Sequence, residues 1–143
     1  MARVRVDLPE RFAFCTELPI LIGHINYGQH LDNVALLQLA SEARVRFLAS
    51  MGYTELDVEG AGIILADAAV RYRSEARYGE TLVFEMAVGD FHATGCDLVY
   101  RAKDKASGRA VAEGQMGVRF FDYASRSVVP VPEGFRRRFV DGP

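Results

Sequence analysis

Apolar residues recur at every second position in five runs of this chain, and at steps of three and four in only one longer run. Phe12, Phe14, Thr16 and Leu18 form the first alternating set. Ile64, Ala66, Ala68, Val70 and Tyr72 form the second, against Leu65, Asp67, Ala69, Arg71 and Arg73. Leu82, Phe84, Met86 and Val88 form the third, Leu98, Tyr100 and Ala102 the fourth, and Ala112, Met116, Val118 and Phe120 the fifth. A period of two marks a strand with one covered face, and five such runs predict an antiparallel sheet. Turn chemistry at Tyr78-Gly79-Glu80, Ala93-Thr94-Gly95 and Lys105-Ala106-Ser107-Gly108 separates them. These short links predict hairpin neighbours among the last strands.

The exception is the stretch with apolar positions Val34, Leu36, Leu37, Ala40, Ala43, Phe47, Leu48 and Met51. Those steps predict a helix with one buried stripe. Asp32 or Asn33 is placed to cap its start, and Gly52 to end it in the left-handed conformation. Leu39 and Val45 fall off the stripe, which predicts burial on more than one side. A helix of about 18 residues is ~27 Å long. The expected fold is α+β: a five-stranded antiparallel sheet wrapped around one long helix, as a single domain over residues 1–143. The sheet's bare edges invite pairing, and edge-to-edge dimerisation into a continuous sheet is a natural solution.

Composition excludes several classes. A chain of 143 residues suits one domain, which buries roughly 70% of its unfolded surface without a metal or disulfide staple. The net charge of −2 provides no field to recruit nucleic acid or an anionic membrane. Cys15 and Cys96 show no C-x-x-C spacing and read as two reduced thiols. MARVRVDLPE has charges where a signal peptide needs an apolar stretch. No apolar run approaches the ~20 residues that span a bilayer. A cytoplasmic location, with no membrane and no nucleic-acid partner, is the expectation.

Just before the helix stands a polar knot, GHINYGQHLDN, residues 23–33. It holds His24 and His30, Asn26 and Asn33, Asp32 and two glycines. A helix N-terminus already offers free N–H groups and a dipole that favours negative charge, so this knot is the candidate functional region.

The order of elements, the G-x-H-L-x-N run at Gly28–Asn33 and EARVRFL at Glu42–Leu48 resemble hotdog-fold acyl-CoA thioesterases of the 4-hydroxybenzoyl-CoA thioesterase type. VRYRSEARYGETLVFEMAV (70–88), AEGQMGVRFFD (112–122) and PVPEGFRRRF (130–139) extend the resemblance over most of the chain. It implies a hydrolase that releases a carboxylic acid and free CoA. It also implies a homodimer or dimer of dimers, active sites at the dimer interface, and no metal or cofactor beyond the coenzyme A of the substrate. Members of the family carry a catalytic aspartate at positions that here hold Ile25 or His24. That departure keeps open a non-catalytic acyl-CoA or acyl-carrier-protein binding module, and the His24, Asn26 and His30 cluster keeps open a hotdog-fold enoyl-CoA hydratase or dehydratase, although the aspartate such enzymes pair with a histidine is not in place.

Under this resemblance, the amides of residues 30–33 are expected to hold the thioester oxygen as charge develops on it. Glycines 23 and 28 are expected to let substrate approach the main chain. Asn26 is either a donor to the carbonyl or the centre of an Asx turn. His30 is either a base or a packed histidine at the helix entry. His24 stands where a carboxylate is missing, or is a loop residue. Glu42 is either a helix-borne base, as in some hotdog thioesterases, or the ion-pair partner of Arg46. Asp67 interrupts the apolar run GIILADAAV and is expected to replace the absent carboxylate, unless it lies on the polar side of its strand. Tyr27, Gly28, Leu31, Asp32 and Asn33 make up the expected substrate-binding set. Arg71 and Arg73 join them as partners for the phosphates of coenzyme A.

Overall fold

The computed structural model describes residues 3–140. Strand β1 (Phe14–Pro19) leads through a single 3-10 turn at Ile22–His24 into helix α1 (Asn33–Ser50). Strands β2 (Gly62–Tyr72), β3 (Thr81–Gly89), β4 (Gly95–Asp104) and β5 (Ala110–Asp122) follow, then a two-residue strand β6 (Ser127–Val128) and helix α2 (Glu133–Val140). The sheet is antiparallel throughout, in the order β1-β3-β4-β5-β2. The five expected strands are all present. A sixth, β6, pairs only Phe121 and Asp122 of β5 and is too short to show a period.

Helix α1 crosses the inner face of this sheet. Its buried side chains are Ala35, Leu36, Leu39, Ala40, Ala43, Phe47 and Leu48. Against them stand Leu82, Phe84 and Met86 of β3 and Leu98, Tyr100 and Ala102 of β4, all buried. Each large side chain removed from water here contributes about 2 kcal/mol, which holds the helix in place. The buried stripe is rotated from the expected one. Leu39 is inside, while Val34 and Leu37 are 55% and 39% exposed. The small residues Ala35, Ala40 and Ala43 let the helix sit low on the sheet, and Val34 and Leu37 are left facing the β2 edge. Val45 is 47% exposed, so it provides no second buried side.

The start of α1 is built as expected. Asp32 is the N-cap, and its Oδ2 accepts from the N–H groups of Val34 at 2.9 Å and Ala35 at 3.3 Å. Gly52 follows the helix with φ +82°, a conformation that side chains disfavour.

Strand β2 departs from simple alternation. A bulge between Leu65 and Asp67 inserts Ala66 into the register. Ala68, Val70 and Tyr72 keep the inner face, but upstream of the bulge the faces exchange: Leu65 pairs with the buried Val118, and Ile64 with the exposed Arg119. A second irregularity between Ala102 and Lys103 frees Val111 from its β4 pairing, and it is buried. Helix α2 closes the far end, where Phe135 packs on Phe120 with ring centroids 5.4 Å apart.

The two cysteines are free. Burial pushes the Cys96 thiol up to about 12, so at neutral pH it is an inert packing group and not a nucleophile. No helix among the described residues is long and apolar enough to cross a membrane.

Candidate active site

The knot folds into a tight turn that points two side chains at one another. The Gln29 N–H donates to the Asn26 carbonyl at 2.9 Å, and the Asn26 N–H to the His30 carbonyl at 3.0 Å. Gln29 carries the strain of this reversal, with φ +66°. Asn26 Oδ1 accepts from the Gly28 N–H at 2.9 Å, so the Asx turn is present. Gly28 is needed for a reason other than substrate approach. A Cβ there would stand 3.1 Å from His30 Nε2 and 3.2 Å from Asn26 Oδ1, so its missing side chain lets the two converge.

The turn is tied down at both ends. The Leu31 N–H donates to the Ala76 carbonyl at 2.7 Å, and the Asp32 N–H to the His24 carbonyl at 2.8 Å. His24 therefore supports the knot through its backbone. Its Nδ1 accepts from the Leu21 N–H at 2.9 Å, which closes the 3-10 turn and leaves that nitrogen unable to act as a base.

Between this knot and the end of β2 lies a cavity of about 320 Å³. Asn26, His30, Leu31, Asp32 and Asn33 line one side. Tyr72, Arg73, Ser74 and Glu75 line the other. The Tyr72 hydroxyl donates to the Asn33 carbonyl at 2.9 Å, bridging strand and helix across the gap. Burial holds the Tyr72 phenol above its ordinary value, with the Asp32 charge adding to the effect, so it stays a donor.

The protonation pattern of His30 follows from one contact. Its Nδ1 lies 3.2 Å from the Leu31 carbonyl oxygen, which can only accept. In the neutral ring Nδ1 therefore carries the proton, and Nε2 presents a lone pair. Glu75 Oε1 stands 3.9 Å from Nε2, beyond direct hydrogen-bond reach and at a separation a water can bridge.

The expected amide cradle is narrower than the sequence suggests. The amides of Leu31 and Asp32 are bonded to carbonyls, and those of Val34 and Ala35 to the Asp32 carboxylate. That leaves the His30 N–H and, at the first position of α1, the Asn33 N–H with no partner among the described residues. Asn26 Nδ2 has one long bond, 3.4 Å to Asp32 Oδ1, and a second hydrogen to spare.

Several expected site residues fall outside this cavity. Glu42 pairs with Arg46 at 2.9 Å, and Arg46 also reaches Thr16 and Glu17 of β1. Glu42 thus lies on the β1 side of the helix, away from the knot, as the ion-pair alternative has it. Asp67 takes the polar side of its strand. It is exposed on the outer face, its carboxylate lying over Gly117, which separates it in register from Asp97. The Asp97 carboxyl is held above its ordinary value, first by burial and then by the charges of Asp90 and Asp67. Asp67 therefore belongs to an acidic cluster on the face opposite α1. Tyr27, within the knot, is fully exposed and does not line the cavity. Arg71 pairs in register with Glu113, and Arg73 reaches the same carboxylate at 3.3 Å.

Tyr72, Ser74 and Glu75 enter the cavity without having been singled out in the sequence. Tyr72 had a signal, since it is the last inward position of the β2 alternation. Glu75 had none: it follows the strand, and the Leu31–Ala76 bond brings its segment to the knot.

An antiparallel sheet curled around one central helix, with a polar cavity at that helix's start, defines the hotdog class. The chain belongs to the thioesterase-like superfamily, whose family match covers residues 20–139. A 1,4-dihydroxy-2-naphthoyl-CoA thioesterase from Synechocystis superposes with a TM-score of 0.80 at 17% identity, over 91% of this chain and 98% of that one. A thioesterase-superfamily protein from Jannaschia sp. CCS1 gives 0.82 at 21% identity, over 94% and 85%. A gentisyl-coenzyme A thioesterase gives 0.75 at 15% identity, over 86% and 99%. Likeness at these identities establishes the fold. A search of curated proteins finds no match. Family and fold are as the sequence resemblance predicts, and with them the class of thioester hydrolase.

Proposed function

We propose that this protein hydrolyses acyl-CoA thioesters to a carboxylic acid and free CoA, at the cavity between the start of α1 and the end of β2. The observation that carries this reading is the His30 ring, with Nδ1–H fixed on the Leu31 carbonyl and Nε2 left as a base lining the cavity.

Water held between Nε2 and Glu75 loses a proton to His30 as its oxygen attacks the thioester carbonyl carbon. The carbonyl oxygen takes up negative charge. The Asn33 N–H and Asn26 Nδ2 donate to it, and the helix dipole adds to their effect. When the tetrahedral intermediate collapses, the carbon–sulfur bond breaks and the CoA sulfur takes the proton back from His30. Glu75 favours the protonated imidazole in between. Arg73, at the cavity mouth, and Arg71 suit the phosphates of coenzyme A. This chemistry needs no metal and no cofactor apart from the CoA of the substrate.

Two further parts belong to this reading. Strand β2 is an outer strand with Leu65 and Tyr72 half-exposed beside Val34 and Leu37 of α1. Antiparallel β2–β2 pairing would satisfy that edge and put the partner's chain over the cavity. We therefore propose a homodimer as the working unit, with a dimer of dimers as its extension. We also place the protein in the cytoplasm, where acyl-CoA is made and consumed.

Free-thiol release from short, medium, long and aromatic acyl-CoAs tests the reading. Thiol release from at least one member supports it. Water addition to an enoyl-CoA without thiol release points to a hydratase, and binding without turnover points to a carrier module; either result overturns it.

A further inference from the structure

Along the groove between α1 and the inner face of β2, a second cavity of about 160 Å³ follows the first. Leu37 and Ala40 of α1, Leu65, Ala68 and Val70 of β2, and Met116 of β5 form its apolar walls. Asn33 and Leu36 line the first cavity, and Leu37 and Ala40 the second, a step of about one helical turn or ~5.4 Å. On the strand the step is from Tyr72 to Val70.

Tyr100 of β4 forms part of this second cavity and is 1% exposed. Its ring leans on Phe84, centroids 5.8 Å apart, and lies over Gly114 of β5, where a Cβ would overlap both ring and hydroxyl. The hydroxyl therefore reaches from β4 across β5 towards Val70, the register partner of Gly114, at the cavity wall. Among the described residues nothing hydrogen-bonds to it. Burial pushes the phenol up to about 12, so it stays a donor at any working pH. The polar groups on the helix side are engaged: Ser41 Oγ donates to the Leu37 carbonyl at 3.1 Å, and Arg44 Nε donates to Glu55 at 2.9 Å. Tyr100 is thus a donor that opens onto a mostly apolar cavity and has no partner among the described residues, an arrangement that favours an oxygen-bearing occupant over a purely hydrocarbon one.

We propose that this cavity receives the far end of the acyl group and that the Tyr100 hydroxyl selects acyl groups carrying an oxygen there over hydrocarbon ones. The size is set by the volume. An engineered protein cavity of about 150 Å³ holds benzene, so the space takes a group of about six carbons. The inference rests on the thioester-hydrolase reading for the chemistry, but the selectivity belongs to Tyr100.

The test compares hexanoyl-CoA with 6-hydroxyhexanoyl-CoA. The wild-type protein is expected to prefer the hydroxylated substrate about tenfold in kcat/KM, the scale of one net hydrogen bond. In Tyr100→Phe the ratio is expected to fall to within about twofold of unity. Damage to the fold would lower both rates together and leave the ratio standing, so an unchanged ratio in Tyr100→Phe overturns the proposal. So does a wild-type protein that prefers hexanoyl-CoA. Calorimetric titration of the same two ligands separates this proposal from the catalytic one. A binding preference that Tyr100→Phe abolishes supports it even if no thiol is released; equal binding of both ligands to the wild-type protein overturns it. Leu37→Trp, at an exposed position, narrows the cavity independently. It is expected to lower kcat/KM for the six-carbon pair at least tenfold more than for acetyl-CoA, and an equal effect on all three contradicts the assignment.

Discussion

His30 and Asn26 divide the site's polar work because each has one atom tied to the backbone and another left over. Asn26 Oδ1 holds the Gly28 N–H, and its amide nitrogen keeps a free hydrogen. Asn26→Asp keeps the acceptor and removes the donor. It is expected to lower thiol-release kcat about 100-fold, the scale for one lost oxyanion donor, and to lower the melting temperature as well, because the new carboxylate faces that of Asp32. Asp67→Asn is expected to stay within about twofold of wild type in the same assay, because Asp67 lies on the face away from α1. The acidic cluster on that face makes a prediction of its own. The Asp97 carboxyl is held above its ordinary value in the folded protein, so the folded state favours the protonated form. The stability this gives is present below about pH 3.9, the unfolded-state value, and is lost as pH rises through the higher folded value. Asp97→Asn should therefore raise the melting temperature at pH 7, and that gain should vanish in melts below about pH 4. How much of the site was legible from sequence follows from the same residues. The knot stood out because polar side chains crowd a helix entry. Which of them line a cavity did not, since that depends on hydrogen bonds such as His24 Nδ1 to the Leu21 N–H that carry no sequence period.

The start of α1 joins the helix to the site. Asp32 caps it with two bonds, and Tyr72 holds its first carbonyl. Asp32→Ala removes the cap and should cost about 1 kcal/mol in denaturant unfolding. Periodicity located all five long strands and the one long helix because each element has a single covered face. It failed where the backbone breaks its own period. Ala66 is inserted at the β2 bulge, so Ile64 and Leu65 exchange faces. Val111, released from its β4 pairing, turns to the interior from a position that alternation assigns outward. The rotation of the α1 stripe was hidden for another reason. Leu37 and Leu39 are the same residue type, and only the sheet's edge decides which one is buried.

On the scale of the whole molecule, the cavities lie along the β2 edge, the side of the sheet on which β2 has no neighbour. Pairing two copies there in antiparallel fashion keeps both helices on one side of the joined sheet and Asp67 on the other. Leu65→Arg places a charge on the half-exposed inner position of that edge. Sedimentation is expected to show a dimer for the wild-type protein and a monomer for the variant, with thiol release reduced at least tenfold. A fully active monomer would mean that one chain completes its own site. The central claim, that His30 is the base for thioester hydrolysis, is tested most directly by kcat for thiol release in wild type and His30→Gln, on the best acyl-CoA of the panel. The account predicts a loss of at least about 100-fold with the folded circular-dichroism spectrum retained. A variant that releases thiol at the wild-type rate would contradict it.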